Sequence, residues 1–177
     1  MKKTVLFLLL ACAVCAGTFA QSAEEYYSSG FLYLTQEDCD KAIADFSEAI
    51  RLKPDFADAF FFRGGAYHRK KEYDKAIKDY TGAITLIPGF AEALLCRGIA
   101  YYDKKDYDKA IADCTEAIRL NPNVTNTYFN RGLAYLAKKD YDKAIADFEA
   151  ALNINPNSPF TQQVKEGLEQ AKKARGY

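Results

Sequence analysis

Residues 106–123 read DYDKAIADCTEAIRLNPN, and the place of that stretch in the chain decides the fold. Its Asp108-Lys109-Ala110-Ile111 tetrad recurs at 40–43, 74–77 and 142–145, always with a step of 34 residues. Pro54, Pro88, Pro122 and Pro156 keep the step, as do Gly30, Gly64, Gly98 and Gly132, and Tyr33, Tyr67, Tyr101 and Tyr135. A fixed period over four copies marks a repeat array, in which each unit buries its apolar face against its neighbours.

Each unit reads as two helices joined by a short turn. In the second, helix A is predicted from Ala57 to about Lys70 and helix B from Tyr73 to about Leu86. Pro88 stops helix B because its ring removes a donor and clashes with the preceding turn. Asp38, Glu72, Asp106 and Asp140 precede each helix B; the three Asp suit an N-cap, while Glu72 complements only the helix dipole. The repeated glycines of helix A and Ala42, Ala76, Ala110 and Ala144 of helix B let two backbones approach. Around them Tyr26, Phe60, Leu94 and Tyr128, with Phe46, Tyr80, Cys114 and Phe148, fill the space. Leu94 and Cys114 replace two rings in one hairpin, so repeat three is expected to be the least tightly packed.

That order of aromatic, Gly, Tyr, Ala, aromatic, Ala and Pro resembles the tetratricopeptide repeat family across residues 23–158. The resemblance implies an all-α fold, an α-solenoid of antiparallel helix hairpins wound into a right-handed superhelix. Its units would be 23–56, 57–90, 91–124 and 125–158. The remaining residues, 159–177, place Phe160, Val164, Leu168 and Ala171 on one stripe, as expected of a C-terminal capping helix.

The first 20 residues stand apart, with Lys2 and Lys3, an apolar run from Val5 to about Ala16, and small residues before Gln21. This is the layout of a secretory signal cleaved after Ala20, which predicts a periplasmic or secreted protein. The run is too short for a membrane span, and Cys12 as a lipid acceptor is the alternative. Cleavage would remove two Lys from 24 basic residues and none of the 24 acidic ones, leaving a net charge of −2. So balanced a charge argues against nucleic acid or an anionic membrane as the main partner. Cys39, Cys96 and Cys114 would remain, an odd number that leaves at least one free thiol.

Candidate chemistry is sparse. Lys41 and Asp45, Lys75 and Asp79, Lys109 and Asp113, and Lys143 and Asp147 lie four apart in helix B and read as four copies of one solvated face. His68 is the only histidine, so no zinc constellation forms, and Gly64-Gly65 falls inside a helix, where close packing explains it better than phosphate binding. No catalytic residues, metal or cofactor are predicted.

The resemblance implies ligand-facing positions on helix A at the second, fifth, ninth, twelfth and thirteenth residues of each unit. The fifth are Tyr27, Phe61, Leu95 and Phe129; the ninth are Phe31, Gly65, Ile99 and Leu133; the twelfth are Leu34, His68, Tyr102 and Leu136. Polar members are Arg69 and Asp103, with Glu24, Asp58, Glu92 and Asn126 at the second positions. The Lys and Asn clamp by which some relatives grip a terminal carboxylate is missing: Tyr27 and Phe31 stand at its positions in repeat one, and Phe61 and Gly65 in repeat two. Asn130 alone resembles a clamp residue. The expectation is a non-catalytic interaction module or scaffold of a bacterial envelope, holding a peptide or amphipathic helix on an apolar concave face. The alternatives are a lipidated outer-membrane assembly factor and a structural homo-oligomer.

Overall fold

The computed structural model describes residues 21–176; the segment expected to be a secretory signal, with Cys12, lies outside them. Among the described residues there are helices and no strands. Four hairpins follow one another: α1 (Ala23–Thr35) with α2 (Cys39–Leu52), α3 (Ala57–Arg69) with α4 (Tyr73–Leu86), α5 (Ala91–Asp103) with α6 (Tyr107–Leu120), and α7 (Thr125–Ala137) with α8 (Tyr141–Ile154). A last helix, α9 (Thr161–Arg175), packs on α8 and α7. The first helices of successive hairpins touch (α1 with α3, α3 with α5, α5 with α7), whereas α2, α4, α6 and α8 do not touch one another. The chain is therefore an α-solenoid with the first helices on the inside of the curve.

Close approach within each hairpin sets the stack. A Cβ on Gly30, Gly64 or Gly132 would lie 2.9, 2.9 or 2.7 Å from the ring of Phe46, Tyr80 or Phe148, distances that real Cβ atoms do not reach. At Gly98 the neighbour is Cys114 Sγ, 3.1 Å away. Ala42, Ala76 and Ala144 on the facing helix are completely buried. Gly65 is different, because its nearest neighbour is the Tyr80 hydroxyl at 3.9 Å. Close packing, expected from the sequence for both glycines, holds for Gly64 and fails for Gly65.

The tetrad that defined the period is divided among three jobs. Its Ala is core. Its Lys (Lys41, Lys75, Lys109, Lys143) stands over the ring of the repeated Tyr at 5.2–5.3 Å. The same ammonium pairs with the residue that starts its helix, Asp38, Glu72, Asp106 or Asp140. Its Asp reaches forward into the next unit, Asp40 to Lys70, Asp74 to Lys104 and Asp108 to Lys138, and at the end of the stack Asp142 meets Arg175 of α9 at 2.7 Å. The three Asp caps accept from the backbone N–H of Lys41, Lys109 and Lys143, and Glu72 makes no such bond, as its longer side chain suggests.

Each turn between paired helices passes through a left-handed residue that is not glycine: Glu37, Lys71, Lys105 and Lys139, with φ of 61–65°. Across it, the N–H of Asp38, Glu72, Asp106 and Asp140 donates to the carbonyl of Tyr33, Tyr67, Tyr101 and Tyr135, so one bond closes the first helix and starts the second. A side chain at such φ costs roughly 1–2 kcal/mol per residue.

Two packing expectations are corrected. Phe160 stands before α9 and is exposed, while the helix buries Val164, Gly167, Leu168 and Ala171; a Cβ on Gly167 would lie 2.9 Å from Phe148. Repeat three does contain the looser spot, but not at Cys114. Phe56 stacks on Tyr27 at 4.8 Å and Phe90 on Phe61 at 5.0 Å, whereas the corresponding Leu95 and Val124 leave a cleft of about 40 Å3 between α5 and α7.

Calorimetry should order four variants. Gly132→Ala lowers the melting temperature, costing about 1–3 kcal/mol through overpacking. Gly65→Ala raises it, gaining up to about 1 kcal/mol by removing an interior helix glycine. Val124→Phe gains about 1 kcal/mol by filling the cleft and exceeds Cys114→Phe, which has no cleft to fill.

Candidate functional site

The rings expected to line the groove at the fifth positions are shared with the core. Tyr27 packs on Phe46, Phe56 and Phe62, Phe61 on Tyr80 and Phe90, and Phe129 on Phe148, and all three are half-buried. Leu34 is buried. These are structural anchors with one edge at the surface, covered by the second helix of their own hairpin and, for Tyr27 and Phe61, by the ring that precedes the next first helix. Phe31 is the exposed exception, 46% accessible, edge-on to Phe62 at 5.3 Å.

The polar groove candidates are already engaged. Arg69 donates through Nη1 to the carbonyl of Leu34 at 3.1 Å, fastening α3 to the end of α1. His68 Nε2 and Asp103 Oδ2 lie 2.8 Å apart across two repeats, and the His68 ring rests on Tyr73 at 5.4 Å. Glu24 pairs with Lys53 at 3.1 Å, and the Asn130 amide donates to both the carbonyl and Oδ1 of Asn126. Arg69, Asp103 and His68 thus stitch repeats together.

At the C-terminal end the predicted residues do converge. Tyr102, Leu133 and Leu136 line a cleft of about 320 Å3 together with Ala137, Lys139, Tyr141, Gln170 and Ala174. Ile99 is half-buried one turn before Tyr102. Tyr102 packs on Tyr107 at 5.5 Å, and burial, then the neighbouring Tyr107 and Asp103, push its phenol above the ordinary tyrosine range. The far wall comes from α9, which sequence reading treated only as a cap. Its Gln170 is polar and its Ala174 stands at the exposed edge of the apolar stripe, so no strong apolar signal marked them.

The helix B carboxylates are the largest correction. Asp79, Asp113 and Asp147 are 3%, 8% and 5% exposed, not solvated, and none of them pairs with the Lys four residues before it. Each accepts a two-pronged bond from an arginine of its own first helix: Arg63 to Asp79 at 2.7 and 2.8 Å, Arg97 to Asp113 at 2.8 and 2.8 Å, Arg131 to Asp147 at 2.8 and 2.7 Å. The third guanidinium nitrogen crosses to the preceding repeat, donating to Ser47, Thr81 or Thr115 at 3.0–3.1 Å. Those hydroxyls donate in turn to the carbonyl of Ile43, Ile77 or Ile111. The hydrogen bond from Arg97 to Asp113 holds that guanidinium above its usual range, and Asp147 does the same for Arg131. A carboxylate whose two oxygens are both held in such a fork is committed to its arginine, so the arrangement is a staple between repeats. In repeat one Ser29 replaces the arginine, and Asp45 is half-exposed.

Cys39, Cys96 and Cys114 are unpaired thiols. Burial pushes Cys96 up to about 11 and Cys114 up to about 12. Among the described residues no helix is long and apolar enough to cross a membrane, and no group of three or more metal-ligating side chains is gathered.

Family models described as tetratricopeptide repeat match residues 27–91, 91–124 and 125–158. No curated protein matches the chain. Among solved structures, the crystal structure of MamA protein superposes with a TM-score of 0.80 at 24% identity, covering 87% of this chain and 82% of that one. The first such domain of Spaghetti (RPAP3), bound to the HSP90 peptide SRMEEVD, gives 0.65 at 28% identity over 68% of this chain and 94% of that one. The TPR2B domain of yeast Sti1, in a complex with pHsp70, gives 0.64 at 27% identity over 66% and 96%.

Removing one member of the staple should separate repeats by stability. Asp113→Ala leaves the Arg97 guanidinium half-buried without its carboxylate and costs about 3 kcal/mol. Asp45→Ala, which breaks no fork, stays within about 0.5 kcal/mol in urea unfolding. In the folded protein at pH 8, a disulfide reagent should label Cys114 only at the rate of global unfolding.

Proposed function

The chain belongs to the tetratricopeptide repeat family, and from that premise we propose that it is a non-catalytic interaction module holding a partner's peptide or amphipathic helix on its concave side. The observation that carries this reading is the cleft of about 320 Å3 where Tyr102, Leu133 and Leu136 of the first helices meet Tyr141 and α9. It is concave, mainly apolar and rimmed by phenol, amide and ammonium groups, the pattern of a site that takes an apolar anchor and orients it by a few polar contacts. Phe31 supplies a second exposed anchor at the other end of the same side.

The peptide complexes of the RPAP3 and Sti1 domains lend support to a peptide as ligand class. The manner of holding it differs in this chain. With Tyr27, Phe31, Phe61 and Gly65 at the clamp positions and the Asn130 amide turned inward to Asn126, a terminal carboxylate finds no matching donors there. Apolar contact carries the affinity instead. The forked staples also favour a non-catalytic role, since the carboxylates that most resemble acid or base groups are committed to arginine.

The place of action follows from the leader at residues 1–20: an exported protein of a bacterial envelope, acting as a scaffold there. A second reading, self-association, draws on Leu32. It is 55% exposed on α1, at the position where Ala66, Ala100 and Ala134 are completely covered by the preceding repeat.

Capture from native envelope extracts tests the groove. Phe31→Glu and Tyr102→Ala should each lose the captured partner at least tenfold with circular dichroism unchanged, and retention by both variants sinks the concave site. Phe61→Glu is unsuitable, because that ring is packed against Tyr80 and Phe90. Sedimentation velocity at several concentrations separates self-association, which Leu32→Glu should abolish.

A further inference from the structure

The turns between paired helices carry a row of lysines whose charge the fold does not use. Lys70-Lys71, Lys104-Lys105 and Lys138-Lys139 occupy the same place in three successive repeats. The first lysine of each pair is consumed by the preceding unit, through Asp40, Asp74 or Asp108. The second, Lys71, Lys105 or Lys139, is exposed and left-handed, and among the described residues its ammonium has no hydrogen bond or ion pair. A turn at this φ is built most readily by glycine, and three lysines stand there instead.

Their surroundings are aromatic and partly hollow. Two residues after each lysine comes the first residue of the next helix, Tyr73, Tyr107 or Tyr141, each half-buried. Lys71 and Tyr73 line a cleft of about 300 Å3, and Lys139 and Tyr141 line the one of about 320 Å3 that opens onto the groove. Most nearby acids are already paired, Glu72, Asp106 and Asp140 with Lys75, Lys109 and Lys143, and Asp74 and Asp108 with the next repeat, while Asp103 is hydrogen-bonded to His68. What is left over along this edge is one positive charge per repeat, with a hollow beside it in repeats two and four. Repeat one inverts it, with Glu37 at the same φ and Cys39 in place of the tyrosine.

We propose that the turn edge of repeats two to four, Lys71, Lys105 and Lys139 with Tyr73, Tyr107 and Tyr141, docks an extended acidic protein segment. Its carboxylates meet the lysines, and apolar residues between them enter the hollows. Charge complementarity selects the partner's sign, and the spacing of one lysine per repeat selects its form. A flexible chain can set one carboxylate per step, whereas a nucleic acid or anionic bilayer would press its dense charge against the capping carboxylates that alternate with these lysines. The edge shares the cleft at Lys139 and Tyr141 with the concave groove and is separate from it at Lys71, Tyr73, Lys105 and Tyr107.

Glycine substitution tests it, because it removes the ammonium while relieving the turn. A fluorescein-labelled peptide of repeating Glu and Leu with Ser spacers is titrated with the full chain by polarisation, alongside the same peptide with Gln for Glu. The Glu peptide should bind, weaken as salt is raised, and exceed the Gln peptide by about tenfold. The combined variant Lys71→Gly, Lys105→Gly, Lys139→Gly should lose about tenfold in affinity while its melting temperature holds or rises. The three Lys→Arg changes should keep binding, and Glu37→Lys, which extends the row, should tighten it about twofold. Equal affinity for the two peptides, or unchanged affinity in the glycine variant, overturns the proposal. So does binding to phosphatidylglycerol vesicles or single-stranded RNA that the glycine variant loses while the peptide fails to bind. Phe31→Glu should leave this affinity within twofold, so failure of the groove and failure of the edge read separately.

Discussion

The distance between two helix backbones in one hairpin governs everything else in this protein. Phe46, Tyr80 and Phe148 can lie flat on the opposing helix only because Gly30, Gly64 and Gly132 have no side chain there. That contact fixes the depth of each hairpin, and the depth fixes where the arginine of the first helix meets the carboxylate of the second. Once the fork is formed, its spare nitrogen reaches the hydroxyl of the preceding repeat. Packing in one unit is thereby converted into register between units.

Polar links between repeats are of two kinds, and they differ in consequence. The forks of Arg63, Arg97 and Arg131 are largely buried, so the pairs are geometrically strict and loss of one partner is severe. The pairs of Asp40, Asp74 and Asp108 with the next unit's lysine are open to water and contribute little stability. Their effect is to occupy those lysines, so that the charge left on the turn edge belongs to Lys71, Lys105 and Lys139. The concave side shows the same economy. Most of its rings serve the core, and free apolar surface gathers at Phe31 and around Tyr102.

The two ends of the stack are finished differently. At the C-terminus, α9 takes the place of a further first helix, with Gly167 settled on Phe148 and Arg175 on Asp142. Its outer side is charged, and its inner side completes the cleft that Tyr102, Leu133 and Leu136 begin. At the N-terminus nothing among the described residues covers α1, and Leu32 stands exposed where later repeats carry a buried alanine.

The sequence by itself determined the period, the two helices per unit, the glycine and alanine contacts and the Asp caps, because these are local or repeat identically. Four copies of a signal are legible where one would be ambiguous. It also contained Arg63, Arg97 and Arg131 at the same step as Asp79, Asp113 and Asp147, but partners 16 residues apart on two helices share no helical face, and the nearer Lys109 looked the better match for Asp113. Burial of those carboxylates, the occupation of His68, Arg69 and Asp103, and the part of α9 in the cleft were decided only by tertiary structure. Each depends on how far one hairpin is rotated and displaced against the next, and that offset is set by side chains packing across units, which a pattern within one unit does not encode.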